Sequence, residues 1–441
     1  MATTITFSNT LAAATKGAQH LALFGSKSAL RGGAWKSALP KAVHGLAKSL
    51  VEGTESGALG KVATTWTGSK SPARLSVAVL PDRLSRYLSP SRAIAIEGCA
   101  AKLDLNGSSK ASVVLILDDP AHYVAAANAL GRAFPLYHRR SKAPSKRTLN
   151  VVALDSKGKP IKATPEVKRT VEASRWAASL VDRPTAELSA ADFVSEARKA
   201  LKGIKGVKIS AIVGNKLLDK GLGGIHGVGR AAAVPPRLLI MEAGPKRAKR
   251  TVAIVGKGVV YDTGGLNIKT GGFMSGMKAD MGGGAAVAGA FRVLAAEKPA
   301  GTRVVALVPL AENAVGPDSY RPDDVLDMHS GKTVEINNTD AEGRLLLADA
   351  VSYAAREVKA DLIIDAATLT GAQLISTGKR HASVVTNRAG LEEGARAAGL
   401  TSGDEVSPLP FAPEIYQNEF ASAVADMRNS VKDRKNAQTS C

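Results

Sequence analysis

Short apolar runs of strand length alternate with longer amphipathic stretches in the first part of the chain. The runs predicted as strands lie at residues 5–7, 20–24, 74–80, 111–117 and 148–154. A helix is predicted over residues 120–134, where alanines and leucines share one face. Strands that alternate with helices predict an α/β protein with a mixed, largely parallel sheet whose faces are covered.

The second part of the chain continues the same alternation after a helical region. A helical pattern covers residues 164–201, is interrupted at Arg183 and Pro184, and shows start signals at Pro165 and at Ser189. Further strands are predicted at residues 208–213, 237–241, 251–255, 303–307 and 362–365, and further helices at 284–297 and 345–358. We therefore predict an N-terminal α/β domain at 1–163, a helical linker at 164–202 and a second α/β domain at 203–441.

Composition allows a large core but leaves the role of the charge open. The 441 residues are 45% hydrophobic and carry a formal net charge of +20, and residues 1–50 hold six Lys or Arg and no Asp or Glu. Two interpretations remain, a solvated basic surface or contact with nucleic acid. Zinc-finger spacing and aromatic RNA-binding motifs are absent from the sequence, so the charge alone does not decide between them.

Cysteine usage and hydropathy bear on location. Cys99 and Cys441 form no disulfide framework, which fits a reducing compartment. The sequence contains no apolar run near the roughly 18–20 residues that a membrane helix needs. The acid-free N-terminus resembles an organelle transit peptide, but residues 5–7 and 20–24 are predicted as strands of a folded domain. We expect a cytoplasmic protein.

A glycine-rich segment at residues 255–265 begins the part of the sequence that carries chemistry. Its glycines do not match the dinucleotide fingerprint, because Tyr261 stands where the third glycine is needed. They do not match a phosphate-binding P-loop either, because Lys257 is followed by Gly258 rather than by Ser or Thr. Both nucleotide motifs are therefore excluded here.

Carboxylates lie in this segment and after it, at positions where strands are predicted to end and helices to begin. They are Asp262, Asp280, Asp340 and Glu342. In open α/β sheets such loops meet at the carboxyl edge, where ligands bind. Clustered carboxylates need compensation, which divalent cations commonly provide, and oxygen ligands favour Mn²⁺ or Mg²⁺ with Zn²⁺ tolerated. Each acid alone could equally be a helix cap or a solvated charge, Asp340 above all.

These motifs resemble the leucyl aminopeptidase (M17) family. The match rests on Lys257 with Asp262, on Lys269, on the Asp280 segment and on the octapeptide NTDAEGRL at 338–345. Segments 260–266, 310–317 and 422–431 resemble the probable aminopeptidase-like branch of that family. The resemblance is strong from about Asp182 onward.

The resemblance implies a role for each matched residue. Asp262 and Glu342 would bridge two metal ions, Asp340 would complete one metal site, and Lys257 with Asp280 would complete the other. Lys269 would polarise the scissile carbonyl group, and Arg344 would hold a bicarbonate ion that serves as general base. The cleft would be lined by Thr368, Leu369, Gly371 and Met277, although Met277 could equally be a core residue.

The family further implies a fold, a reaction and an assembly. We expect an N-terminal macro-like α/β domain and a C-terminal catalytic domain, which together release apolar N-terminal residues such as leucine from peptides. Two divalent ions, most simply Mn²⁺, are the expected cofactors, and a homohexamer is the expected assembly. Family members continue beyond residue 441, so the C-terminal part of the catalytic domain is expected to be missing here. The alternative function is nucleic-acid binding or scaffolding with peptidase activity reduced or lost.

Overall fold

A computed structural model describes residues 3–142, 145–431 and 436–440. The chain forms two compact units, which are residues 1–175 with 379–408, and residues 176–378 with 409–441. The strands are β1 (Thr4–Phe7), β2 (His20–Ser26), β3 (Lys61–Trp66), β4 (Arg74–Leu80), β5 (Lys110–Ile116), β6 (Thr148–Leu154), β7 (Pro160–Ile161), β8 (Lys208–Val213), β9 (Arg237–Ala243), β10 (Arg250–Gly256), β11 (Gly258–Asp262), β12 (Thr302–Asn313), β13 (Val325–Asp327), β14 (Thr333–Glu335), β15 (Leu362–Ala366), β16 (Ala382–Val384), β17 (Val406–Pro408) and β18 (Met427–Arg428).

The helices separate and cover these strands. The α-helices are α1 (Leu11–Thr15), α2 (Lys27–Gly32), α3 (His44–Gly53), α4 (Ala93–Ala101), α5 (Tyr123–Arg132), α6 (Pro165–Asp182), α7 (Ala190–Leu201), α8 (Gly223–Gly229), α9 (Gly282–Glu297), α10 (Gly343–Arg356), α11 (Ala372–Thr377), α12 (Ala389–Ser402), α13 (Pro413–Tyr416) and α14 (Ala437–Ser440). Short 3-10 helices cover Lys36–Ala38, Lys41–Val43, Pro120–His122, Gly214–Lys220, Met277–Ala279 and Gln417–Phe420. Among the described residues, no helix combines the length and the apolar character that a membrane span requires.

The N-terminal unit is built on a seven-stranded sheet in the order β1-β6-β5-β2-β4-β3, with β7 beside β6. Its pairs are parallel except β3 with β4 and β6 with β7. Every residue of β2 is buried, because Leu21 and Leu23 pack under α1 to α3 while Ala22 and Phe24 pack under α4 to α6. Two covered faces explain why β2 is a continuous apolar run rather than an alternating one.

The C-terminal unit contains a six-stranded mixed sheet in the order β15-β10-β12-β9-β8, with β11 beside β12. Strands β15, β10, β12 and β11 are parallel, whereas β9 is antiparallel to both of its neighbours. Ile254 of β10 packs against α7 and α9 on one face, and Ala253 and Val255 pack against α8 and α10 on the other. This layering places the loops after β10, β11 and β12 at one edge.

The predicted mixed α/β fold with two domains is confirmed. Strand β6 has the predicted bounds, and α6 ends at Asp182, directly before the predicted interruption. Helix α7 starts from a capping box in which Ser189 and Asp192 bond each other's backbone N–H groups. The helix predicted over 120–134 begins with a 3-10 turn instead, because Asp119 caps Ala121 and Pro120 occupies the first turn. The exact domain limits stay a prediction.

Candidate active site

The predicted site residues lie on loops at the carboxyl edge of the C-terminal sheet. Lys257 stands between β10 and β11, and Asp262 is the last residue of β11. Asp280 ends the 3-10 turn before α9, and Glu342 directly precedes α10. Ligand sites of open α/β sheets commonly occupy this position.

Two glycines make room for the site, which accounts for their place in the motifs. A Cβ atom at Gly283 would lie 2.0 Å from the carbonyl oxygen of Ala366, so α9 could not approach β15 with any other residue there. A Cβ atom at Gly343 would lie 2.6 Å from Cε of Lys257. Gly343 therefore gives the Lys257 side chain its path beside the first turn of α10.

The ammonium group of Lys257 is buried among acceptors. Its Nζ lies 2.8 Å from Oδ2 of Asp280 and 2.9 Å from Oε1 of Glu342, and it donates to the carbonyl oxygen of Thr368 at 3.0 Å. Only 2% of its side chain is exposed. Burial alone lowers the pKa of this lysine, but the two carboxylates outweigh it and the pKa is raised.

Lys269 forms a second bridge between carboxylates. Its Nζ lies 2.8 Å from Oδ2 of Asp262 and donates to Oδ1 of Asp340. Burial lowers the pKa of Lys269, but its bonds to Asp262 and Asp340 outweigh that effect and the pKa is raised. The ammonium group therefore stays protonated. The two lysines thus link all four predicted carboxylates.

Three of these carboxylates form one buried group. Asp262, Asp280 and Glu342 each offer an oxygen, and these oxygens lie within 4.8 Å of one another. Burial raises the pKa of Asp280 to about 6 and that of Glu342 to about 7, with their carboxylate neighbours adding to the shift. Lys257 offsets part of both shifts. Burial and neighbouring carboxylates thus favour the protonated forms of Asp280 and Glu342 unless further positive charge is supplied.

This group fits divalent cations by its donor chemistry. Four carboxylates face two ammonium groups, so a fully ionised site keeps two negative charges in a buried position. Hard oxygen donors at these separations are suited to Mg²⁺, Mn²⁺ or Zn²⁺. We conclude that the residues present can hold metal ions.

Arg344 lies on α10, whereas Thr368, Leu369 and Gly371 lie on the segment between β15 and α11. Arg344 is the second residue of α10, and its guanidinium donates to the carbonyl oxygen of Ser440 at 3.2 Å. Thr368 donates from Oγ1 to Oδ1 of Asp280 at 2.9 Å. Leu369 is half-buried against the core beneath α8 and α10, and Gly371 precedes α11 in an exposed position. The substrate contacts predicted for these residues stay a prediction.

Met277 is half-buried at the start of the 3-10 turn that leads to Asp280. It is absent from the described core clusters. This position is compatible with the predicted pocket side chain, which stays a prediction.

The structure adds residues that the sequence did not single out. Asn313, at the end of β12, donates from Nδ2 to Oδ1 of Asp262 at 2.9 Å and to the carbonyl oxygen of Thr339 at 3.0 Å. Tyr320 donates from its buried hydroxyl to the same Thr339 carbonyl at 2.6 Å. In the sequence, Asn313 was marked only by its place in the segment 310–317 and at the polar end of a long apolar strand, and neither indicated a bond to Asp262. These bonds hold the Asp262 loop against the Asp340 loop.

Comparison with known proteins identifies relatives of this chain. The model of a family described as "Cytosol aminopeptidase family, catalytic domain" matches residues 175–441. Probable aminopeptidase NPEPL1 of Mus musculus is 47% identical over 373 residues, which cover 83% of this chain and 70% of that protein.

Solved structures extend the likeness to nearly the whole chain. Leucine aminopeptidase of Caenorhabditis elegans superposes with a TM-score of 0.90 at 32% identity, covering 99% of this chain and 88% of that one. Leucyl aminopeptidase of Trypanosoma brucei, solved in complex with bestatin, superposes with a TM-score of 0.89 at 31% identity, covering 100% and 87%.

Proposed function

The chain belongs to the cytosol aminopeptidase (M17) family of metallo-exopeptidase hydrolases, and from this premise we propose a two-metal aminopeptidase that removes apolar N-terminal residues such as leucine from peptides. The observation that carries the proposal is the buried carboxylate group bridged by Lys257 and Lys269. A solvated charged surface does not explain it, because burying several acids is costly without a compensating charge.

Five residues would hold the two ions. They are Lys257, Asp262, Asp280, Asp340 and Glu342. When bound, a pair of divalent cations acidifies a shared water molecule and polarises a carbonyl group. The oxygen-rich donor set supports Mn²⁺ in the first place, with Zn²⁺ or Mg²⁺ as replacements.

Lys269 is placed to act on the substrate. Its ammonium stays protonated, and 14% of its side-chain surface remains exposed to solvent. A donor of this kind can bond the scissile carbonyl oxygen and stabilises it more as negative charge develops there. We therefore assign Lys269 to the stabilisation of the oxyanion.

Arg344 would bind an anion beside the reacting group. It lies in the first turn of a 14-residue helix, where backbone N–H groups and the helix dipole also favour negative charge. A bicarbonate ion held there would serve as general base toward the attacking water.

Selectivity for chain ends would come from the free α-amino group, which only the N-terminal residue of a peptide carries. In its neutral form this amine is a nitrogen ligand that one of the two bound ions could take. Half-buried Met277 and Leu369 would offer an apolar wall to the side chain of that residue, with Thr368 and Gly371 beside it. A cytoplasmic location and a homohexameric assembly complete the proposal.

Leucine p-nitroanilide hydrolysis tests the proposal. The protein should require added Mn²⁺, lose activity with a chelator and regain it on replenishment. Lys269→Ala should lower kcat by about 10²–10³-fold, because it removes one charged donor to the oxyanion. The exposed Lys332→Ala is the matched control and should keep full activity.

A binding readout separates folding from chemistry. Bestatin, the ligand of the Trypanosoma brucei protein, should raise the Tm of the Mn²⁺-loaded chain, of Lys332→Ala and also of Lys269→Ala, which keeps all five proposed metal ligands. Equal turnover by Lys269→Ala and the unmodified protein would refute the catalytic assignment.

A further inference from the structure

The N-terminal unit carries most of the excess positive charge. Residues 1–175 with 379–408 contain 30 Lys or Arg and 14 Asp or Glu, whereas the rest of the chain contains 29 and 25. The excess is concentrated further within that unit. The segments that lead into β2, β4, β5 and β6, together with the first residues of β4 and β5, hold ten Lys or Arg and one acidic residue, Asp104.

These segments form one continuous edge, which we call the amino edge and define as residues 16–19, 67–74, 102–110, 133–142 and 145–147. Backbone bonds join neighbouring segments, with Arg74 N–H donating to Gln19 at 3.0 Å and Gln19 N–H donating to Lys110 at 3.0 Å. The N–H of Thr148 donates to Ser109 at 2.9 Å. Because parallel strands begin at the same edge, their basic residues are brought together there.

The opposite edge of the same sheet has no such excess. Its segments at 54–60, 81–92, 117–122 and 155–159 hold five acidic and five basic residues. Acids there also pair locally, as Asp118 does with Arg92 at 2.7 Å. The charge asymmetry therefore belongs to one edge rather than to the whole surface.

An exposed aromatic ring stands at one end of the amino edge. Trp66, the last residue of β3, is 71% exposed, and the Arg74 guanidinium lies 5.5 Å from the centre of its ring. The Arg74 guanidinium is itself paired with Asp104 at 3.2 Å, so the ring offers a stacking face beside an ion pair.

We propose that the amino edge binds single-stranded nucleic acid. Four strand spacings separate β6 from β3, so the basic segments and Trp66 span about 19 Å. That length suits several nucleotides, with phosphates on the lysines and arginines and one base stacked on Trp66. Acidic peptides would use the charge but carry no flat base to stack on the indole, so the ring favours a nucleic acid over a peptide.

Fluorescence anisotropy with a fluorescein-labelled 20-nucleotide DNA strand of mixed sequence tests the proposal on the full chain. Lys70→Ala with Lys102→Ala removes two exposed lysines from the amino edge. Affinity should fall about tenfold at low salt, and the slope of log K against log salt should become shallower by about 1.4. Lys157→Ala with Lys159→Ala, the matched control at the opposite edge, should change neither quantity.

The stacking contact has its own test. Trp66→Ala should weaken binding by about 5- to 150-fold, and Trp66→Phe should lose less. Hydrolysis of leucine p-nitroanilide should be unchanged in all of these variants, so failure here is distinguishable from failure of the proposed peptidase. Absence of binding at 25 mM salt, equal losses in both lysine pairs, or no effect of Trp66→Ala would overturn the proposal. So would equal competition by polyglutamate or by vesicles rich in phosphatidylserine.

Discussion

A buried ammonium group, that of Lys257, occupies the centre of a site built from acids. Its three acceptors are at 2.8 to 3.0 Å, and its charge partly offsets those of Asp280 and Glu342. If Lys257 becomes a metal ligand, as proposed, it must release its proton, because only the neutral amine has a lone pair to offer. Metal binding at this site must therefore be linked to proton release.

We predict that the affinity for Mn²⁺ falls at least tenfold for each pH unit below 8. Lys257 gives up one proton at every pH in this range, and Glu342 and Asp280, with pKa values of about 7 and 6, add further protons as the pH approaches 6. Calorimetric titration in buffers of different ionisation enthalpy counts these protons directly.

The two lysines serve as each other's control in that measurement. Lys257→Met should release one proton fewer than the unmodified protein, whereas Lys269→Met should release the same number. Mn²⁺ affinity that does not change between pH 8 and pH 6 would refute the assignment of Lys257 as a ligand.

His20 couples the stability of the N-terminal unit to acid pH. Its Nδ1 accepts from Arg74 at 3.1 Å, so its Nε2 donates to Oγ of Ser76 at 2.7 Å and the buried ring is neutral. Burial, reinforced by Arg74, lowers its pKa from 6.5 to about 4. Below pH 6.5 the unfolded chain protonates this histidine while the folded chain does not.

The free energy of unfolding should therefore fall by about 3 kcal/mol as the pH drops from 6.5 to 4. Urea unfolding followed by hydrogen exchange in β2 and β5 measures this loss. His20→Gln should flatten that part of the pH profile, and His122→Gln, on a partly exposed ring, should leave it unchanged. A profile unaltered by His20→Gln would exclude this histidine as the cause.

At the scale of elements, helix α10 is positioned by a missing side chain. Gly343 begins the helix, and a Cβ atom there would lie 2.6 Å from Cε and 2.8 Å from Nζ of Lys257. Gly343→Ala should displace the Lys257 side chain and lower kcat/KM by about 10-fold or more, because small displacements of positioned groups have effects of this order. Alanine's better helix propensity should offset part of the stability cost.

A matched glycine shows what the same change does without a neighbour. Gly98 lies in α4, and a Cβ atom there would meet nothing within 4 Å. Gly98→Ala should raise the free energy of unfolding by about 0.5–1 kcal/mol and leave kcat/KM unchanged. Equal kinetics for Gly343→Ala and Gly98→Ala would contradict the packing argument.

The sequence predicted elements well where a local pattern determines them. The apolar run of β6 and the capping box of α7 are local signals, and both appear at the predicted places. The link from Asn313 to Asp262 crosses 51 residues, and the packing of residues 379–408 with the N-terminal unit crosses more. Neither leaves a periodic trace in the sequence, because both depend on how distant strands meet.

Part of the arrangement around the site could be predicted from the sequence, whereas the roles of its residues stay a prediction. Loops that follow parallel strands converge at one edge of a sheet, which places Lys257 and Asp262 at the same edge. Glu342 follows β14 of a separate three-stranded sheet, so its position beside them depends on tertiary packing. The protonation of these residues did not follow from the sequence, since it depends on burial and on distances of a few ångströms.

At the scale of the whole molecule, metal ions and protons act on different compact units. Every residue proposed to hold metal lies between residues 257 and 342, within the C-terminal unit. His20, whose protonation destabilises the fold, lies in the N-terminal unit. A ligand that binds only the folded state stabilises the cooperative unit that contains its site, by about 2.7 kcal/mol at a concentration of 100 Kd. Amides that exchange only through unfolding of that unit then exchange about 100-fold more slowly.

We therefore predict that Mn²⁺ slows hydrogen exchange in β10, β12, α9 and α10 while β2 and β5 keep their rates. Mass spectrometry of peptic peptides with and without Mn²⁺ at pH 8 resolves these elements. Asp280→Asn relieves charge repulsion in the metal-free site but replaces a charged carboxylate donor by a weaker, neutral amide oxygen, so Mn²⁺ should slow exchange there much less. Equal slowing in β2 and in β10 would mean that one cooperative transition includes both units, and metal would then stabilise the basic N-terminal unit as strongly as the catalytic one.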